Sequence, residues 1–333
     1  ASTGNYVKEY REELPLVALT YDGFLGGETV VNLDQTPDFN LSATISSDAG
    51  VYPIIITQVF DTNYEIVREN GLLTIEQATL SATVGNYNKT YGEENPDFEI
   101  QYTGFVGGED VSVIDNPLIA ITTADEMSDV GDYSITFERG TDLNYEIVPV
   151  NGNLEISRAN LTATVQNQLK TFGDSNQDFE ITYSGFLNGD QESDLDDIPT
   201  VNTTATTFSN VGEYDLTIPP VVDNNYTVTT VDGILSIMKA ELTITADNQV
   251  KQTGVELPDF TFSYNGFKGD DDASDLDELP VISTIATAVT GEGEYPIELT
   301  GGSDDNYEFI LENGVLTVFD FLPQSISLPS ISS

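Results

Sequence analysis

The segment "DLNYEIVPVNGNLEI" starts at Asp142, and recognisable copies start at Asp61 ("DTNYEIVRENGLLTI"), Asp223 ("DNNYTVTTVDGILSI") and Asp304 ("DDNYEFILENGVLTV"). Successive starts lie 81 residues apart, without insertion or deletion. Such a repeat constrains the fold more than length does, because every copy must reach the same structure. A unit of about 80 residues can bury a modest core of its own, whereas solenoid coils repeat every ~20 to 50 residues. The period therefore predicts small domains in tandem rather than one coiled superhelix.

Other marks recur on the same period. Gly23-Phe24 returns as Gly104-Phe105, Gly185-Phe186 and Gly266-Phe267, and Tyr52 returns as Tyr133, Tyr214 and Tyr295. Between these marks the polarity alternates with period two. In "DFEIQYTGF", Phe98, Ile100 and Tyr102 point one way and Glu99, Gln101 and Thr103 the other. "YSITFE" and "LSATV" behave alike, which is the pattern of strands with one buried face. No long segment has helical period; "GDQESDLDDI" from Gly189 allows one short helical turn. Asn70-Gly71, Asn151-Gly152, Asp232-Gly233 and Asn313-Gly314 have the composition of two-residue hairpin turns, so each copy is expected to close with a local hairpin. The Asp-x-Asn before each Tyr suits an Asx turn.

Six or seven strands per copy fit a small sandwich. "SDAGVY", "SDVGDY" and "SNVGEY" look like the corner at which a tyrosine hydroxyl bonds back to the backbone in immunoglobulin-like domains; the other reading makes Gly the turn and Tyr simply core. The expected fold class is all-β, a tandem array of four small immunoglobulin-like β-sandwich domains, with β-grasp-like repeats as the alternative. The expected domains are residues 1–77, 78–158, 159–239 and 240–320. The first opens on a truncated strand, as in a chain cut from a longer array or matured there. Residues 321–333, broken by Pro323 and Pro329, read as a linker or stray strand. Only Ser157, Arg158 and Ala159 separate one copy from the next. Such short joints predict an elongated monomer. Its radius of gyration by small-angle scattering should exceed the roughly 20 Å of a compact chain of this length.

Ten Lys plus Arg face 57 Asp plus Glu, a formal charge of −47. That charge argues against nucleic acid, which needs a basic footprint, and against anionic membranes. Membrane insertion is not expected either, since no apolar run is long enough to span a bilayer. Cys, His and Trp are absent, which excludes disulfides, Cys/His zinc sites and Cys/His nucleophiles. The polar residues that recur do so four times over, whereas catalysis needs a unique constellation in a pocket. An enzyme is not expected.

The set "KTYGEENPDFEIQYTGFVGGED", "VGDYSITF" and "NYEIVPVNGNLEI" resembles the MBG family, mostly-beta, glycine-rich repeats of bacterial surface proteins, in the subtype marked by Tyr-Gly, at Tyr91-Gly92. The resemblance covers roughly residues 5 to 320. The motif varies to Tyr10-Arg11, Phe172-Gly173 and Thr253-Gly254 in the other copies, which puts the local strand in question at those points. The resemblance implies arrays in exported, cell-surface adhesins and brings no catalytic residues. It implies neighbouring repeats as partners, with any host or surface ligand held through other domains. The expected function is a structural stalk that holds a distal binding region away from a cell; the alternative is a multivalent ligand- or carbohydrate-binding module.

Two sets of recurring residues are site candidates. Four of the ten basic residues, Lys8, Lys89, Lys170 and Lys251, share one repeat position. They suit a surface salt bridge or an isopeptide crosslink to Asn or Asp. Asp34, Asp115, Asp196 and Asp277 recur in an acidic loop, and Asp61, Asp142, Asp223 and Asp304 before the closing segment. Calcium takes six to eight oxygens from such groups. Among copies three and four, Asp194, Asp196, Asp223, Asp275, Asp277 and Asp304 are the candidate ligands of a structural calcium; no other cofactor is expected. Asp also caps turns without metal, and the spacing matches no EF-hand loop.

Overall fold

A computed structural model describes residues 1–320; the segment read as a linker or stray strand, 321–333, lies outside the described residues. The chain gathers into two compact units. The first holds Ala1–Ala159 with Leu187–Gly189 and Asn224–Tyr226; the second begins at Asn160 and holds the remainder.

In the first unit, copy one supplies β1 (Ser2–Thr3), β2 (Tyr6–Glu9), β3 (Leu19–Thr20), β4 (Asp38–Leu41), β5 (Gly50–Thr57) and β6 (Gly71–Glu76). Copy two supplies β7 (Ala78–Val84), β8 (Tyr87–Thr90), β9 (Ile100–Thr103), β10 (Ile119–Thr122), β11 (Gly131–Glu138), β12 (Tyr145–Val150) and β13 (Gly152–Ser157). Copy two is a sandwich of a three-stranded sheet, β12-β7-β9, and a four-stranded sheet, β10-β11-β13-β8. The inward phase is buried as the alternation requires: Leu80, Ala82 and Val84 from one sheet, Ile135, Leu154 and Ile156 from the other.

The second unit repeats this. Copy three supplies β14 (Ala159–Val165), β15 (Gln168–Thr171), β16 (Ile181–Ser184), β17 (Gly212–Leu216), β18 (Tyr226–Val231) and β19 (Gly233–Met238). Copy four supplies β20 (Ala240–Ala246), β21 (Gln249–Gln252), β22 (Phe262–Asn265), β23 (Val281–Thr284), β24 (Gly293–Thr300), β25 (Tyr307–Glu312) and β26 (Gly314–Phe319). The sheets are β16-β14-β18 and β15-β19-β17, then β22-β20-β25 and β21-β26-β24-β23. The only helical turns among the described residues are short 3-10 segments such as Glu192–Asp194. The chain is all-β, a tandem series of small immunoglobulin-like sandwiches.

The tyrosine corner is present in every copy. Tyr52, Tyr133, Tyr214 and Tyr295 each donate their hydroxyl to the main-chain carbonyl four residues upstream, at Asp48, Asp129, Asn210 and Gly291, over 2.9–3.1 Å.

The expected closing hairpin is not formed. β12 pairs in parallel with β7, while β13 pairs with β11 and, in parallel, with β8. Asn151-Gly152 therefore carries the chain from one sheet to the other. Gly152 does not adopt positive φ. It is glycine because a Cβ there would lie 2.1 Å from the carbonyl oxygen of Gly85. The residue before the glycine has a separate role. Asn70, Asp232 and Asn313 accept the N–H of Ile56, Ile218 and Leu299 through Oδ1, over 3.0–3.1 Å. The side chain bonds an N–H beyond the residues paired between strands.

Copy one differs where its first strand is short. β7 pairs with Tyr145–Val150 along six positions, but Ser2 is bridged to Glu69 alone, and Tyr64–Val67 are not in a strand. A cavity of about 210 Å³ lies beside them, lined in part by Tyr21, Gly23, Phe24 and Tyr64. In copy two the Cβ position of Gly104 lies 2.7 Å from Thr79 oxygen, whereas that of Gly23 has nothing within 4 Å. The cavity is thus a strand position and not a catalytic pocket.

Candidate functional site

Within each unit the buried core does not stop at the end of a copy. In the first unit Tyr10, Ile75, Leu80 and Tyr145 belong to one cluster; in the second, Phe172, Ile237, Leu242 and Tyr307 do. The junctions between copies are therefore the sites where recurring side chains act together.

The aromatic residue of the Tyr-Gly position supplies the contact. Tyr10 meets Tyr145 edge to face at 5.7 Å, and Phe172 meets Tyr307 in the same way at 5.5 Å. Such pairs contribute about 0.5–1.5 kcal/mol beyond their area burial. The residue after the aromatic must be left-handed: Gly173 has φ +81 and Arg11 has φ +64. The variation at Tyr10-Arg11 therefore leaves the backbone of the motif intact. Arg11 bears a left-handed conformation that costs a non-glycine residue about 1–2 kcal/mol, and its side chain forms an ion pair with Glu109 of the next copy. Glu109 also accepts the hydroxyls of Tyr10 (3.0 Å) and Tyr145 (2.6 Å). Burial alone would raise the Glu109 carboxyl, but these hydrogen bonds and Arg11 hold it below the usual range. In the second unit Tyr307 donates to Asp271 (2.7 Å) and accepts from the Lys268 N–H (2.8 Å), and Lys268 pairs with Asp174 of the preceding copy at 3.4 Å.

A second clamp was not legible as such in the sequence. Asn144 accepts the N–H of Ala49 (2.8 Å) and donates to Asp48 (3.1 Å), both at the tyrosine corner of the preceding copy. Asn306 does the same to Val211 and Asn210. Gln77 and Lys239, between copies, reach the carbonyls of Asp142 and Asp304 at 2.8 and 2.6 Å. The one sequence signal for this clamp is the recurrence of the Asn on the period, which the Asx-turn reading absorbed.

The four lysines are buried, about 5–7% exposed. The surface salt bridge expected of them is not formed; each ammonium donates to main-chain carbonyls. Lys89 reaches Glu93 and Asp125 (2.9 and 2.6 Å), Lys170 reaches Asp174 and Thr206 (3.1 and 2.6 Å), Lys251 reaches Thr287 and Ala288 (both 3.1 Å), and Lys8 reaches Glu12 (2.8 Å). The stem fills core space and the head satisfies carbonyls where two loops meet. Because these Nζ partners are main-chain oxygens, intact mass is expected to equal that of the unmodified sequence. A loss of one ammonia or one water per copy would mark a crosslink.

The recurring aspartates form reciprocal pairs. Asp142 accepts the N–H of Asp115 (3.0 Å), and Asp115 accepts that of Leu143 (3.0 Å). Asp34 with Asp61, and Asp277 with Asp304, are joined alike, and Asp223 accepts from Asp196 N–H at 3.0 Å. Asp142 and Asp304 also close Asx turns on the N–H groups two and three residues on. Asp194 and Asp275 cap the N–H of Gln191 and Asp272 at 2.9 Å. Each calcium candidate thus bonds main-chain N–H groups or supplies one, which accounts for the recurrence. Among the described residues no group of three or more Asp and Glu is placed to hold a metal ion.

The buried tyrosines set an alkaline limit. Burial, with the Glu109 carboxylate second, pushes Tyr145 up to about 12; burial, with Asp271, pushes Tyr307 up to about 12. Burial also lowers Lys8, Lys89 and Lys170. Between about pH 10 and 12 the unfolded chain releases tyrosine protons that the folded chain keeps, so stability falls with pH. The lowered lysines act oppositely, and their contribution is complete by about pH 10.5. Denaturant midpoints are therefore expected to drop steeply above about pH 10.5, and less so in Tyr145→Phe.

Comparison with solved structures returns the I9–I11 tandem of titin (9% identity, TM-score 0.22, 73% of this chain and all of that one) and Drosophila N-cadherin EC1–4 (6%, 0.21, 96% and 99%). It also returns Sidekick-1 immunoglobulin domains 1–4 (10%, 0.24, 92% and 88%). At TM-scores this low the likeness supports no conclusion about shared arrangement or role. No curated protein matches the chain. The family model of the MBG domain (YGX type) matches four times, over residues 2–74, 80–155, 161–236 and 242–317, and the aromatic-glycine position that marks this type is the one that seats each junction described above: the chain belongs to the MBG domain (YGX type) family.

Proposed function

We propose that the chain is a spacer segment of an extracellular, cell-surface protein, its repeats holding a more distal binding region away from the cell. The observation that carries this reading is the junction. In each unit an aromatic pair, an Asn clamp and a side chain from the linker tie one copy to the next. Recurring polar residues are spent on these ties and on the aspartate pairs, which suits a structural and non-catalytic role. The dense negative charge supports it too, since like-charged surfaces and sheet edges resist non-specific pairing. No helix among the described residues is long and apolar enough to cross a membrane.

The test is to fix the full chain to beads and present soluble glycans and matrix proteins. A spacer shows no saturable binding beyond that of an acidic control protein. Saturable binding that one glycan or peptide class competes away would replace the spacer with a multivalent ligand-binding module.

A further inference from the structure

In the third copy, four positions meet the fourth: Phe172 packs on Tyr307, Asp174 pairs with Lys268, Phe208 lies against Gly269, and Met238 lines a groove with Lys268. The same positions in the fourth copy are Thr253, Val255, Val289 and Phe319. They are contiguous: Thr253 N–H bonds the Phe319 carbonyl and Gly254 N–H the Ala288 carbonyl, both at 3.0 Å. Val289 is 81% exposed, Val255 51% and Phe319 46%.

The chemistry of this end face is unlike that of its equivalents. Val255 stands where the other copies carry Glu12, Glu93 and Asp174, and Phe319 where two of them carry Glu76 and Ser157. Ile285, 74% exposed, stands where all three carry Ser or Thr. The outer face of a terminal repeat normally has to be polar, and contiguous exposed apolar surface marks a contact site. The face is also unsuited to another repeat of the kind seated elsewhere in the chain: the aromatic knob has become Thr253, and the carboxylate that answers Lys268 has become Val255.

We infer that this end of the fourth copy is an interaction surface and that its partner is a second copy of the chain, docked through the same face. A two-fold contact brings identical patches together. In a chain of charge −47, such a contact requires that the patch lose the carboxylates that would oppose one another, and the Glu/Asp-to-Val255 exchange does this. The position is continuous with an interface the chain already uses, between its third and fourth copies. A patch of this size is small beside the roughly 800 Å² per partner of a stable complex, so the dimer is weak and concentration-dependent.

Sedimentation velocity of the full chain tests it, from about 1 to about 200 μM in about 0.5 M NaCl, where the Debye length is only about 4 Å. The weight-average mass is expected to rise toward twice the monomer mass with concentration. Val255→Asp and Val289→Asp, both at exposed positions, should each raise the dissociation constant at least about tenfold with unchanged thermal melting. Wild-type protein that stays monomeric throughout overturns the proposal, whatever else covers the face. So does a dimer that survives both substitutions.

Discussion

Replacing Gly152 with alanine is expected to destabilise the second copy by about 3–5 kcal/mol, near the top of the range for single substitutions. The new methyl would sit 2.1 Å from the Gly85 carbonyl oxygen and 2.8 Å from that of Val84. Neither is the movable end of a side chain. The strand crossover must open, and with it the parallel pairing of β13 with β8 and of β12 with β7. Global unfolding of a multidomain chain is not two-state, so hydrogen exchange is the better reading. Amides of Leu154 and Ile156 should lose most of their protection while those of β24 and β26 keep theirs. Gly108→Ala is the control. Its Cβ would meet nothing within 4 Å, and only its φ of +78 is strained, so about 1–2 kcal/mol is expected. Equal effects at the two glycines would refute the close-approach reading of Gly152.

Tyr307→Ala is expected to cost about 3–5 kcal/mol, as for other buried aromatic truncations. The ring is buried between Phe172 of the preceding copy and Phe267 of its own. Tyr307→Phe keeps both ring contacts but leaves the Lys268 N–H and the Asp271 carboxylate without the hydroxyl, at about 1–3 kcal/mol. A double-mutant cycle with Phe172→Ala isolates the contact across the junction. Its coupling energy should be about 1 kcal/mol. A coupling indistinguishable from zero would mean that the two copies fold without regard to each other and would remove the main support for a spacer.

Much of the fold was legible because strand alternation is local. Leu80, Ala82 and Val84 face inward because successive side chains of a strand point to opposite sides, and no knowledge of the neighbouring strand is needed. The tyrosine corner was legible for a related reason: Tyr133 bonds Asp129, four residues away. The Asn-Gly segments misled because their composition suits a hairpin turn, yet composition does not say whether glycine serves a positive φ or a close approach. The lysines misled because hydrophilicity predicts exposure, while their true partners are carbonyls on a loop some 36 residues away, as for Lys89 and Asp125.

Residue types at short or repeating spacing were enough for the period, the all-β class, the inward phase of the strands and the family. Other features emerge only in the folded chain: Asn151-Gly152 crosses between sheets, Lys89 is buried, Asp115 and Asp142 hold one another's loops, and Tyr10 and Phe172 seat the following copy. These are pairings between residues far apart in the chain. Their energies come from partners that no local pattern names: a carbonyl left over at the end of a strand, an N–H in another loop, a ring on the next domain.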